Sequence, residues 1–290
     1  MRKYCCVTGM ILLCLSIPAA PAVGQAVVSN NYANLDANRA LKDVPVTLSR
    51  IGVDGDFKTG ICPSIAGQKL PAQVDVLRRA ADGSIRHALV SFVLPELPAG
   101  GKVTVDWLNA KPADPPAFKW AVDKGLDLKL VLAKHDGGAI TSDLGKILGG
   151  KLAASDRVKI LHDGPVMKEY EIYDMPVDAA GNADKQIDVL WRLRVFTGRK
   201  SVRVACVVES CKDRVTGMTY PKKWPAFRKF KGVKLISGDK VLYEEGAYSQ
   251  LDQTRYRILV WSAGQLEDIH RRPNYDYWQK HGFVCKYKWV

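Results

Sequence analysis

Three stretches of this 290-residue chain put arginines where they could do chemistry together. Residues 186–196 alternate, with Val189, Trp191, Leu193 and Val195 on one side and Arg192 and Arg194 on the other. Residues 201–209 repeat the pattern, Val202, Val204, Cys206 and Val208 opposing Arg203 and Glu209. Residues 254–261 (TRYRILVW) place Arg255 and Arg257 on one side together with Trp261. A guanidinium is a planar fork of donors that grips a carboxylate bidentately, so a strip of them suits an acidic ligand. An indole beside the strip can stack on a sugar ring. The same pattern also describes a solvated outer sheet face with a core tryptophan, and alternation alone leaves both readings open.

Other candidate chemistry is thinner. His87 follows an Asp-Gly-Ser turn and reads either as a base or as a histidine packed beside Ile85 and Leu89. Glu169 and Glu171 share a strand side, a carboxylate pair of the type glycosidases use, although a separation across a cleft is not written in spacing. His135, His162, His270 and His281 show no ligand spacing, and neither a Gly-x-Ser-x-Gly elbow nor a Gly-x-Gly-x-x-Gly loop occurs. The expectation is no metal, no cofactor and no assigned catalytic residue.

The elements that must position the arginines are strands. Residues 70–101 (LPAQVDVLRRAADGSIRHALVSFVLPELPAGG) read as a hairpin turned at Asp82-Gly83 and closed by Pro95, Pro98 and Gly100-Gly101. Alternation or short apolar runs predict further strands at 44–51, 102–108, 126–134, 157–162, 166–175, 233–236 and 240–243, with a short helix at 142–148. Residues 27–39 read as an extended lead-in, residues 61–67 as irregular and 215–231 as basic and aromatic without a period. The fold class is therefore all-β, an antiparallel barrel or sandwich with very little helix, built as two packed β subdomains. The triple-proline stretch 111–118 is the best internal boundary, which gives an N-terminal β part at 27–110, a second at 119–265 and an aromatic segment at 266–290.

Residues 1–26 have the anatomy of a secretory signal: Arg2 and Lys3, an apolar run over 7–20, then small residues. The expected location is extracytoplasmic, secreted or periplasmic, with no membrane span after cleavage. The formal charge of the whole chain is +13. Removing the leader lowers it to about +11, a surplus that favours polyanionic partners. Acidic polysaccharide is the expected partner. Nucleic acid is not, since no run of five like charges forms an arm. Cys62, Cys206, Cys211 and Cys285 remain, and could be thiols or disulfides; Cys206 with Cys211 and Cys62 with Cys285 are the pairings considered. Oligomeric state is not legible.

The 70–100 segment, with its lP.Q…DGS.rh…lpaG progression, resembles the N-terminal RIFT-type β-barrel of exo-rhamnogalacturonan-lyase-like proteins. The segments VLWRLRVFTGRKSVRVACVVE and TRYRILVW look like the continuation of that group, and similar β-domains occur in phage structural proteins. The resemblance spans roughly residues 40–265 and rests on turns and alternation rather than catalytic motifs. It implies a carbohydrate-related β-domain, and the chain's aromatic end suggests a form shortened from a longer ancestor. The function expected is binding of acidic polysaccharide by Arg192, Arg194, Arg203, Arg255, Arg257 and Trp261, without complete catalytic machinery. The alternatives are a lyase of uronate-containing glycan using Arg192, Arg194 or His87, and a structural or surface-assembly module.

Overall fold

The computed structural model describes residues 25–120, 126–149, 158–210, 227–251, 254–264, 266–267, 269–272 and 274–284. In chain order the elements are β1 (Ala26–Asn34), β2 (Leu41–Ile51), β3 (Ile61–Ile65), β4 (Gln68–Lys69), β5 (Ala72–Arg79), β6 (Ile85–Leu97) and β7 (Lys102–Asn109). There follow β8 (Leu128–Ala133), β9 (Ala139–Asp143), α1 (Leu144–Leu148), β10 (Val158–Asp163), β11 (Met167–Asp174), β12 (Ile187–Phe196) and β13 (Arg203–Ser210). The last are β14 (Phe227–Phe230), β15 (Gly232–Ser237), β16 (Lys240–Glu245), β17 (Tyr248–Leu251), β18 (Arg255–Trp261), β19 (Ile269–Arg272) and α2 (Tyr275–Lys280).

The protein is all-β and its named strand pairs are all antiparallel. The sheets are layered, and among the described residues none closes into a barrel. A first sandwich sets the sheet β19-β1-β7-β3-β4 against β2-β6-β5. Its core holds Val90, Phe92, Leu94, Val105, Trp107 and Phe57. A second sandwich sets β10-β11-β12-β13-β18 against β16-β15-β8-β9, and its core takes Val189, Trp191, Leu193 and Val195 from β12 together with Leu128, Leu130 and Leu132 from β8. Strands such as β1 and β8 feed alternate residues inward, the consequence of the two-residue period of an extended chain.

The hairpin β5–β6 turns as its residues require. Gly83 has φ +83°, a region that L side chains rarely adopt, and the Asp82 carboxylate accepts from the Ser84 backbone at 3.0 Å. Register shifts near Arg78 put Ile85 in the core but turn His87 and Leu89 away from it, which corrects the reading that grouped the three on one side. His87 is half-buried and shares a 2.6 Å hydrogen bond with Ser49. Two other segments correct expectations: 27–39 contains most of β1, an interior strand between β19 and β7, and the irregular 61–67 contains β3.

The outer side of the hairpin docks the two sandwiches together. The buried Gln73 side chain accepts from the backbone N–H groups of Val166 and Met167 at 3.3 and 2.9 Å and donates to Asp75, which in turn meets His162 at 3.2 Å. Gly164 allows this approach, because a Cβ there would lie 2.2 Å from Gln73. Leu89 joins Met167, Phe196 and Trp261 in a small cluster at the same junction. Cys62 and Cys206 are buried free thiols, so neither joins a pairing considered from sequence; Cys211 and Cys285 lie outside the described residues, as do residues 1–24, where a secretory signal is expected. No helix among the described residues is long and apolar enough to cross a membrane.

Candidate functional site

The outward face of β11, β12, β13 and β18 is a lattice that antiparallel register fixes row by row. One row reads Glu169, Arg194, Arg203, Trp261; the next Glu171, Arg192, Ala205, Leu259; the next Tyr173, Leu190, Val207, Arg257; and Glu209 lies beside Arg255 in the row after. The strands hold these rows because their inward residues, Trp191, Leu193, Val204, Cys206, Ile258 and Val260 among them, are fully packed in the second core.

Long arginines standing around the small Ala205 and the aliphatic Val207 and Leu259 leave a depression of about 130 Å³. Arg192, Arg194, Arg203, Arg257 and Glu169 form its wall. Arg192 is held by Glu171, with Nε and Nη2 at 3.0 and 2.9 Å from one carboxylate oxygen, and Arg194 by the buried Glu169 at 3.0 Å. Arg203 and Arg257 have no ion pair among the described residues. Arg203 stands directly opposite Arg194, a like-charge pairing that cross-strand neighbours ordinarily avoid. Burial first, then the charges of Arg194 and Arg257, push the Arg203 pKa down, against a smaller upward pull from Glu267 and Glu169. The cradle thus carries more positive charge than its carboxylates neutralise. It can accept an anion with little reorganisation.

Of the residues proposed from sequence, Arg192, Arg194, Arg203 and Arg257 come together. Arg255 shares their face but stands outside the depression, exposed and paired with Glu209 at 2.6 Å. Trp261 is a correction. It is only 4 % exposed, its N–H donates to Glu267 at 2.6 Å, its edge packs on Phe196, and the Arg199 guanidinium covers the ring at 4.1 Å from the centroid. No ring face is left for a sugar. Glu169 and Glu171 serve as partners of arginines rather than as a pair facing each other across a cleft. Sequence reasoning missed Ala205 and Leu259 as the floor, though Ala205 lies on the arginine side of the alternation in RVACVVE.

A second, larger hollow of about 460 Å³ lies between the sandwiches. Residues 44–49 of β2 and Tyr32 line it from the first sandwich, Arg203 and Trp261 from the second, and Leu266, Glu267, Ile269 and Arg271 from the returning chain. Among the described residues no group of His, Cys, Asp and Glu could hold a metal ion.

No protein-family model matches the sequence, and no curated protein does. Among solved structures the chain is similar to an alpha-mannosidase from Enterococcus faecalis V583, at 11% identity and a TM-score of 0.37, over 90% of this chain and 46% of that one. The chain thus spans under half the length of that protein, and a likeness this distant says nothing of activity.

Proposed function

We propose that this is an extracytoplasmic cationic β-protein that binds acidic polysaccharide at the cradle of Arg192, Arg194, Arg203 and Arg257 without turning it over. The observation that carries the reading is the pair Arg203 and Arg257, cations without a carboxylate partner on one rim of a walled depression. A sugar carboxylate placed between them relieves the repulsion among Arg194, Arg203 and Arg257, and the aliphatic floor suits the C–H face of a pyranose. The basic balance of the chain, its leader-like N-terminus and its resemblance to the N-terminal domain of rhamnogalacturonan-lyase-like proteins favour an acidic glycan over other anions. Elimination from a uronate requires a base at the α-proton. The lining offers only Glu169, already held by Arg194, which favours binding over lyase action.

Titration calorimetry with a tetragalacturonate and its methyl ester tests the reading. The free acid is expected to bind, weakening as salt rises, and the neutral ester to bind at least about tenfold more weakly, a difference near 1.4 kcal/mol. The double variant Arg203→Ala/Arg257→Ala is expected to lose the preference. Equal binding of the ester, binding indifferent to the double substitution, or no binding overturns the proposal. Release of a product absorbing as an unsaturated uronate would replace it with the lyase reading.

A further inference from the structure

We infer that the cradle is one end of a longer site, and that the hollow between the sandwiches holds a second acidic unit of the same glycan chain, gripped by Arg203 and Arg271 with the Tyr32 hydroxyl as a further partner. This rests on the binding reading above and extends it from a single acid group to a linear polymer of them.

Arg203 is the hinge of the argument, because it lines both the cradle and the hollow. A chain seated on Arg257 and Arg203 therefore has a way onward between the sandwiches. The hollow, at about 460 Å³, falls within the range of about 300–1,000 Å³ in which small ligands are held.

Its charge is also unspent. The carboxylate on its lining, Glu267, has both oxygens engaged, one by the Trp261 N–H and the other by Arg199. Arg271, exposed on β19 next to Tyr32 in register, has no ion pair among the described residues. Two guanidiniums without an ion pair among the described residues thus face one space from opposite sandwiches.

The Tyr32 hydroxyl adds an independent sign. The residue is 2 % exposed and lines the hollow, with its hydroxyl beside the Arg271 guanidinium and outside ordinary hydrogen-bond geometry to any described group. Buried hydroxyls nearly always have a well-formed partner, and a carboxylate held by Arg271 would give this one an acceptor. Burial pushes its pKa up and the neighbouring Arg271 charge works against that push, so at neutral pH it stays a phenol able to donate to a carboxylate or sugar oxygen.

Repeating acidic sugars fit better than a nucleic-acid strand. The one indole on the lining is capped by Arg199, which removes the ring face that base stacking needs.

The test is calorimetry with galacturonic acid and with its linear trimer. The intact protein is expected to bind the trimer at least about tenfold more tightly than the monomer, because the second contact becomes intramolecular. Arg271→Ala is expected to keep the monomer affinity and lose that gain, and Tyr32→Phe, which preserves the ring, to lose part of it. Arg257→Ala is expected to weaken monomer and trimer alike. No gain with length in the intact protein, or a gain that survives both Arg271→Ala and Tyr32→Phe, overturns the inference while leaving the single-acid cradle standing. Loss of monomer binding altogether, or monomer binding indifferent to Arg257→Ala, removes the cradle itself and the inference with it.

Discussion

Two arginine environments in this protein solve opposite problems. In the first sandwich Arg50 is 5 % exposed and caged by the rings of Phe57, Trp107 and Tyr277, at 5.7, 5.3 and 5.4 Å from their centroids. Its Nη1 donates to Asn30, which also accepts from the Trp107 N–H. Burial pulls its pKa down to about 10, and the faces of three aromatic rings take the place of a counter-ion. In the second sandwich Arg203 sits half-buried among other arginines on an open face, with no ring stacked on it and no ion pair among the described residues. One guanidinium is enclosed among aromatic rings; the other is open, and the pull of Glu267 and Glu169 on it is outweighed by burial and by the charges of Arg194 and Arg257. The difference teaches how to separate a structural arginine from a binding one. Burial alone does not do it, and the sign of the nearest neighbours does.

The comparison breaks most sharply at Arg50. Replacing it with alanine empties a cage closed by β2, β7 and α2 at once, and a loss of about 3–4 kcal/mol in unfolding free energy is expected, as for other large buried side chains. Arg50→Met fills most of the volume without the desolvated charge and is expected to recover at least about half of that loss. A chemical denaturation midpoint unchanged in Arg50→Ala would show that the cage is not part of what holds the first sandwich together.

Tyr277 sharpens the same side of the comparison with a smaller effect. It comes from α2, whose N-cap Asn274 accepts from the Tyr277 N–H at 2.9 Å and donates to the Ser29 carbonyl at 3.2 Å, and its hydroxyl donates to Asp56. Tyr277→Phe keeps the ring over Arg50 but removes a hydrogen bond to a carboxylate, a loss of about 1.5–3 kcal/mol. Burial, then the bond to Asp56, pushes the Tyr277 pKa above its usual 10. The unfolded chain thus releases this proton first, so the stabilisation is whole below pH 10 and declines as pH rises beyond it. Arg50, with its folded pKa pulled down to about 10, contributes the opposite slope as pH rises above about 10. Tyr32, also shifted upward, contributes the same sign as Tyr277. Urea unfolding at pH 8 and pH 11 should therefore show a shallower alkaline loss in Tyr277→Phe than in the parent, and an identical loss would remove Tyr277 from this account.

The two environments were unequally legible in the sequence, for a physical reason. Alternation in β12 and β13 reports which residues leave the core, so the arginine face could be read from the chain, and only eight residues separate the facing pair Arg194 and Arg203. That Arg203 also meets Trp261, and Val207 meets Arg257, depends on β13 pairing with a strand that begins dozens of residues later. Alternation says which side a residue takes, not what covers that side. Trp261 was therefore placed on the correct face, yet that end of the face is roofed by Leu89, Leu266 and Arg199. The Arg50 cage was not visible at all, since it joins residues from β2, β7, the loop holding Phe57 and α2. β1 hid for a related reason: its buried Asn30 and Asn34 look like loop residues until Arg50, Trp107 and the carbonyls of Arg39 and Pro98 are seen to satisfy them.

The smallest stability effect is the one that most directly tests the open side. Arg203→Met removes a charge that Arg194 and Arg257 repel and keeps most of the aliphatic stem that packs on the sheet. Its unfolding free energy is expected to stay within about 0.5 kcal/mol of the parent, leaning toward greater stability. That sign runs against the usual result of substituting a half-buried residue, because the side chain is held in place at an electrostatic cost. An acidic oligosaccharide should raise the melting temperature of the parent and not that of Arg203→Met, since only a ligand bound to the folded state can shift the unfolding equilibrium. If Arg203→Met instead cost as much as Arg50→Ala, the guanidinium would be holding the sheet together. The two arginines would then be alike in kind, and the cradle would be structure rather than site.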